Sequence, residues 1–139
     1  MEAEFKVLID LNVILDVLQR REPFYDTSAR VLAAAETGLV EGWIAAHSLT
    51  TLFYLQARHH SAAQARIALG DLLRILSVAA VDQKVIEQAL TLPYRDFEDA
   101  VQMMAAVQIG ADYLITRNVP DYKVGPIPAL EPAELLALL

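Results

Sequence analysis

The stretch "VLIDLNVILD", residues 7–16, decides how this chain is read. With the two residues before it, "FKVLI" (5–9) is almost wholly apolar and rich in strand-forming residues, as expected of a central parallel strand covered on both faces. Asp10 falls at the carboxyl end of that strand. "NVILDVLQRR" (12–21) then repeats apolar residues at helical spacing, so strand passes almost directly into helix. A carboxylate ending an apolar strand is partly buried, and an unpaired buried charge costs several kcal/mol or more. Asp10 therefore needs a cation or a cluster of donors, whereas Asp16, further along the helix, reads as a solvated face charge.

Working outward, strand and helix patterns alternate. Pro23 breaks the first helix, and "YDTSARVLAAAETG" forms a second that ends at Gly38. "GWIAA" (42–46) is a short strand, followed by the helix "HSLTTLFYLQARHH" with Ser48 as its cap. "SAAQARIALGDLLRIL" is a further helix in which Ser61 and Gln64 have capping-box spacing, and these two helices are expected to pair. "SVAAV" (77–81) is a strand, and "DQKVIEQAL" a helix opened by Asp82. "DFEDAVQMMAAVQIG" is a helix opened by Asp96 and closed by Gly110, and "DYLIT" (112–116) is a strand. "PIPALEP" supplies an edge strand before the helix "PAELLALL". This alternation predicts an α/β fold, a three-layer α/β/α sandwich with a mainly parallel central sheet, in one domain over residues 1–139.

Composition agrees with that reading. The 139 residues are 55% hydrophobic and 21% charged, a globular balance with enough apolar content for a core. Cysteine is absent, which excludes disulfides, thiol catalysis and thiolate-bound zinc and fits a reducing compartment, the cytoplasm. The amino terminus predicts no signal peptide, and no run is long enough to span a bilayer. A net charge of −7 argues against holding nucleic acid by a general basic surface. It leaves room for an enzyme that gathers carboxylates around a divalent metal, which then neutralises phosphate itself.

In parallel α/β sheets, sites collect at the carboxyl ends of the strands. The residues just beyond each expected strand are Asp10 and Asn12, His47 and Ser48, then Thr116, Arg117, Asn118 and Asp121. Asp96, Glu98 and Asp99 join them if their helix starts at the same edge. Taken singly, Asp96 is most simply an N-cap and Asp99 a first-turn carboxylate suited to the helix dipole, with Glu98 a solvated charge. Asn118 and Asp121 around Pro120 are ordinary turn residues, and His47, His59 and His60 lack metal-site spacing. A divalent ion shared by Asp10 and Asp99 would account for both residues together.

These segments resemble the PIN domain family, and in particular the VapC-type toxins of toxin–antitoxin pairs. The resemblance rests on "LIDLNVILDVL", "SLTTLFYL", the more specific "DFEDAVQMMAAVQIGADYLITRNVPDY" and the closing "EPAELLALL". It implies a ribonuclease dependent on Mg²⁺ or Mn²⁺ that cuts structured RNA, a cognate antitoxin, and a homodimer. By motif, Asp10 matches the first acid, Asp99 the acid of the late helix, and Asn118 the Asp or Asn of the "TRN" segment. Asp121 is a substitute or outer ligand, while Asn12 and Thr116 match polar residues that accompany the site. The chain departs from the pattern in the middle block: where the family places Glu three residues after a Ser or Thr, Ser48 is followed by Thr51. That departure raises a second expectation, a catalytically degenerate PIN domain that binds RNA or protein. A phosphatase with an aspartyl nucleophile after the first strand would need a second acid where this chain has Asn12, and asparagine cannot supply the proton. Arg117 is a candidate phosphate contact.

Overall fold

A computed structural model describes residues 2–139. Five strands, β1 (Phe5–Ile9), β2 (Val40–Ala45), β3 (Ser77–Ala79), β4 (Tyr113–Ile115) and β5 (Ala129–Leu130), form one sheet in the order β3-β2-β1-β4-β5. Every neighbouring pair is parallel. Seven helices lie among the described residues: α1 (Leu11–Leu18), α2 (Tyr25–Glu36), α3 (Ala46–His59), α4 (Ala62–Leu72), α5 (Gln83–Ala89), α6 (Phe97–Gln108) and α7 (Pro132–Leu138). A 3₁₀ turn covers Val119–Tyr122.

The strands alternate their side chains between two cores, which is what makes the fold three-layered. Val7 and Ile9 of β1, with Ile44 and Ile115, pack against α1, α2, α3, α4 and α7. Leu8, Ala45, Ala79 and Leu114 point the other way, against the alanine-rich face of α6 and against α5. Small residues there let α6 approach the sheet closely, so its first turn comes near the end of β1.

The strand order sets the location of the site. From β1 the chain moves outward to β2 and β3, then returns to place β4 on the opposite side of β1. The direction of winding reverses between β1 and β4, and the carboxyl ends of strands at such a reversal are where sheets of this kind form a crevice. Asp10 and Thr116 are the first residues beyond β1 and β4.

Caps follow the sequence at several helices. Ser61, Asp82 and Asp96 accept hydrogen bonds from the amides of Gln64, Val85 and Glu98. Gly38 and Gly110, at φ +84° and +69°, end α2 and α6 in the left-handed region. The third helix differs from expectation. Its N-cap is Ala45 rather than Ser48, because β2 begins earlier and turns directly into the helix; Ser48 lies inside the first turn and is buried. Helices α3 and α4 pack side by side as expected.

Candidate active site

Strands β1 and β4 pair in register, Ile9 beside Ile115, so Asp10 and Thr116 emerge together at the sheet edge. The Asp10 amide donates to the Ile115 carbonyl at 2.8 Å. Thr116, fully buried, donates from Oγ1 to Asp10 Oδ2 at 2.9 Å. The amide of Asn118 donates to that same Oγ1 at 3.0 Å, which leaves the hydroxyl proton for Asp10. Asp10 itself is only 8% exposed.

From the other side of the crevice, α6 presents Asp99 and Gln102, one turn apart and therefore on one face. Gln102 Nε2 donates to Asp10 Oδ1 at 3.3 Å and to the Tyr122 hydroxyl at 2.8 Å. The Tyr122 hydroxyl in turn donates to Asp99 Oδ1 at 2.8 Å. A buried amide and a buried phenol thus link the two carboxylates, and both linkers are neutral.

The electrostatics of this group all point one way. Burial raises the Asp10 pKa, opposed by the hydrogen bonds from Thr116 and Gln102 and by the nearby amides of Asn12 and Leu11. Asp99 is pushed up to about 6, first by desolvation, with the Tyr122 hydrogen bond opposing and the charges of Asp96, Asp10 and Asp121 adding. The Tyr122 phenol is driven far above its ordinary range by burial and by both carboxylates, so it stays protonated. Among the described residues, no cationic side chain hydrogen-bonds either carboxylate.

Arg117, next to Thr116 in the chain, pairs away from the acidic group. Its Nε and Nη2 donate to Asp16 Oδ2 and Oδ1 at 2.8 and 3.1 Å, and its guanidinium lies 3.9 Å from the centre of the Phe24 ring. Ser28 Oγ also donates to Asp16 Oδ2, at 3.2 Å. One expectation is corrected here. Asp16 is not a solvated charge: it is fully buried, and a buried carboxylate keeps its charge only with such a partner. Arg117 spends Nε and Nη2 on this pair, which ties the segment after β4 to α1 and α2.

The remaining candidates lie at varying distance from the acidic pair. Asp96 caps α6, and Asp121, exposed in the 3₁₀ turn, acts on Asp99 through its charge. Asn12 is half-buried in the first turn of α1, and Asn118 reaches the group through its backbone amide. Since α3 begins at Ala46, Thr51 stands in its second turn and not its first. Among the described residues, no side-chain hydrogen bond joins Ser48 or Thr51 to Asp10 or Asp99. His47 lies at the start of α3 against Glu98, its Nδ1 buried without a partner among the described residues, and burial lowers its pKa. Gln102 and Tyr122 were not singled out in the sequence. The available signal was a polar residue three places after Asp99 on an otherwise apolar helical face, where a buried amide must find partners.

Beside Asp99 a cleft of about 430 Å³ opens, lined in part by Arg95, Asp96, Asp121 and Lys123. Among the described residues neither Arg95 nor Lys123 forms an ion pair. No three carboxylate or imidazole groups among the described residues converge as a ready-made metal cage. The donor set nevertheless suits a hard divalent cation such as Mg²⁺ or Mn²⁺, which takes one or two carboxylates and completes its shell with water and substrate phosphate.

This architecture, with acids at the winding reversal of a five-stranded parallel sheet, has close counterparts. The PIN domain family model matches residues 6–120, and the chain belongs to that family. Its fold is also that of several solved toxins. It is similar to Mycobacterium tuberculosis VapC20, a sarcin-ricin loop cleaving toxin, at 17% identity and TM-score 0.63 over 78% of this chain and 86% of that one. It is similar to a Klebsiella pneumoniae toxin–antitoxin complex at 21% identity and TM-score 0.69, over 91% and 97%. Rickettsia felis VapBC2, bound to a promoter DNA fragment, gives 15% identity and TM-score 0.69 over 91% and 98%. No curated protein matches the sequence.

Proposed function

We propose that the protein is a metal-dependent endoribonuclease, the toxin of a VapBC-type toxin–antitoxin pair, hydrolysing phosphodiester bonds in structured RNA. The observation that carries this reading is the pair Asp10 and Asp99, held together in the crevice by neutral donors alone, with Arg117 committed elsewhere. Asp10 and Asp99 would hold Mg²⁺ or Mn²⁺, with Asp121 and Asn118 near enough in the chain to serve as outer partners. A bound divalent ion orients a phosphodiester, lowers the pKa of an attacking water and offsets charge in the transition state. Thr116 and Gln102 fix the Asp10 carboxylate. Arg95 and Lys123 give the cleft two uncommitted cations suited to phosphates flanking the scissile bond.

The solved relatives support the partner and setting. VapBC complexes among the structural neighbours favour a cognate antitoxin, while the homodimer rests on the resemblance to VapC-type toxins alone. Among the described residues no helix is long and apolar enough to cross a membrane, which accords with action on RNA in the cytoplasm. The absence of any carboxylate from α3, Thr51 included, favours the second reading, a degenerate PIN domain that binds RNA or protein. Incubating the purified protein with tRNAs and rRNA fragments, with and without Mn²⁺ or Mg²⁺, separates the two. Cleavage that requires metal and vanishes in Asp10→Asn supports the nuclease; cleavage that survives both Asp10→Asn and Asp99→Asn overturns the assigned site.

A further inference from the structure

We infer that Tyr122 and Gln102 are positioning residues that hold the two carboxylates in place for a cation, a role resting on the metal-dependent reading above. Asp99 and Asp10 come from different elements, so their side chains share a fixed relative orientation only through the hydrogen bonds that bridge them. A lysine or arginine between them would hold them together, but it would also occupy the charge that a metal ion needs. A phenol and an amide achieve the first without the second. The Tyr122 hydroxyl spends its one proton on Asp99 Oδ1 and accepts from Gln102, while Gln102 spends its other contact on Asp10 Oδ1. Tyr122 is 3% exposed and Gln102 likewise, so the donor side of these bonds is shielded from water. Asp99 lines the cleft, and its Oδ2 makes no hydrogen bond among the described residues. The side chain is thus tied back through one oxygen and left free at the other.

Outer partners of metal-binding side chains typically change metal affinity by about 10- to 100-fold. Titration calorimetry of Mn²⁺ into the metal-free chain is therefore expected to show affinity weakened by about that factor in Tyr122→Phe, which keeps the ring and removes only the oxygen. Gln102→Met, which leaves Tyr122 untouched, is expected to weaken it likewise. With RNA, kcat measured at limiting Mn²⁺ should fall and be restored by excess Mn²⁺, with KM for RNA unchanged; a merely structural role would not give that rescue. Cooperative unfolding in chelator shows that each variant is folded. Unchanged Mn²⁺ affinity in both variants overturns this inference while leaving the nuclease reading intact. If Tyr122→Phe fails to fold, Gln102→Met alone decides, and unaltered affinity there overturns the inference. A parent protein that binds no Mn²⁺ overturns both.

Discussion

Asp99→Asn should make the metal-free protein more stable near neutral pH. In the folded chain Asp99 titrates at about 6 against an ordinary 3.8, so between those two values the folded state holds a proton that the unfolded state has released. Stability therefore falls as pH rises through that window and levels off above about 6. The gap between 3.8 and about 6, at about 1.36 kcal/mol per pH unit, sets a ceiling of about 3 kcal/mol. Two effects reduce it: the carboxylate is partly exposed and screened by solvent, and as the third residue of α6 it gains about 0.3–1 kcal/mol from the helix dipole. The expected gain for the variant is about 1 kcal/mol, or about 3 °C for a chain of this size. Asparagine retains an oxygen to accept from Tyr122, so the substitution removes charge and little else. Urea unfolding in chelator should show parent and variant nearly equal at about pH 4 and separated by about 1 kcal/mol at about pH 7.5. Excess Mn²⁺ should reverse the order, since only the parent gains ligand-linked stability, about 2.7 kcal/mol at a hundredfold excess over Kd. A variant less stable than the parent at neutral pH, or a gap that does not widen with pH, would refute the reasoning and return Asp99 to a purely helix-stabilising role.

Arg117→Ala should cost about 3 kcal/mol or more in urea unfolding, because it leaves Asp16 buried with Ser28 as its remaining partner; adding Asp16→Leu should recover much of that loss, and failure to recover it would mean the Phe24 stacking dominates. Arg95→Ala and Lys123→Ala should each raise KM for RNA with kcat preserved and reduce the log–log salt dependence of binding by about one phosphate contact. An unchanged salt slope in both variants would place the RNA outside this cleft.

What the sequence made legible was governed by local rules. The all-apolar strand with Asp10 at its end, the caps at Ser61, Asp82 and Asp96, and the glycines after α2 and α6 each depend on a few adjacent residues. The alternation of these elements then leads to the parallel sheet. Contacts between distant segments were hidden. Asp16 and Arg117 lie 101 positions apart, and Gln102 and Asp10 lie 92 apart, so their pairing needs the strand order before it can be seen. Asp16 sits in a helix whose polar positions look solvated until α2 and the segment after β4 close over it. Tyr122, present in the sequence only as the last residue of a matching segment, gains its importance from the 3₁₀ turn that aims its hydroxyl at α6.

The middle block shows most clearly how spacing and geometry can part. With Ser48 as cap, Thr51 would be the third residue of the first turn, close to where a carboxylate could reach the crevice. The chain instead runs from β2 into α3 without a side-chain cap, which moves the helix start three residues earlier and carries Thr51 a turn further from the sheet edge. The residues occupying that first turn are His47 and Ser48, and His47 faces Glu98 of α6. Burial favours the neutral imidazole, so α3 brings no charge of either sign to this edge at neutral pH. The negative potential of the crevice then rests on Asp10 and Asp99, reinforced by Asp96 and Asp121 through space. A site with so few direct carboxylates depends heavily on how firmly they are held, which is why the hydrogen bonds from Thr116, Gln102 and Tyr122 matter more here than a count of acids would suggest.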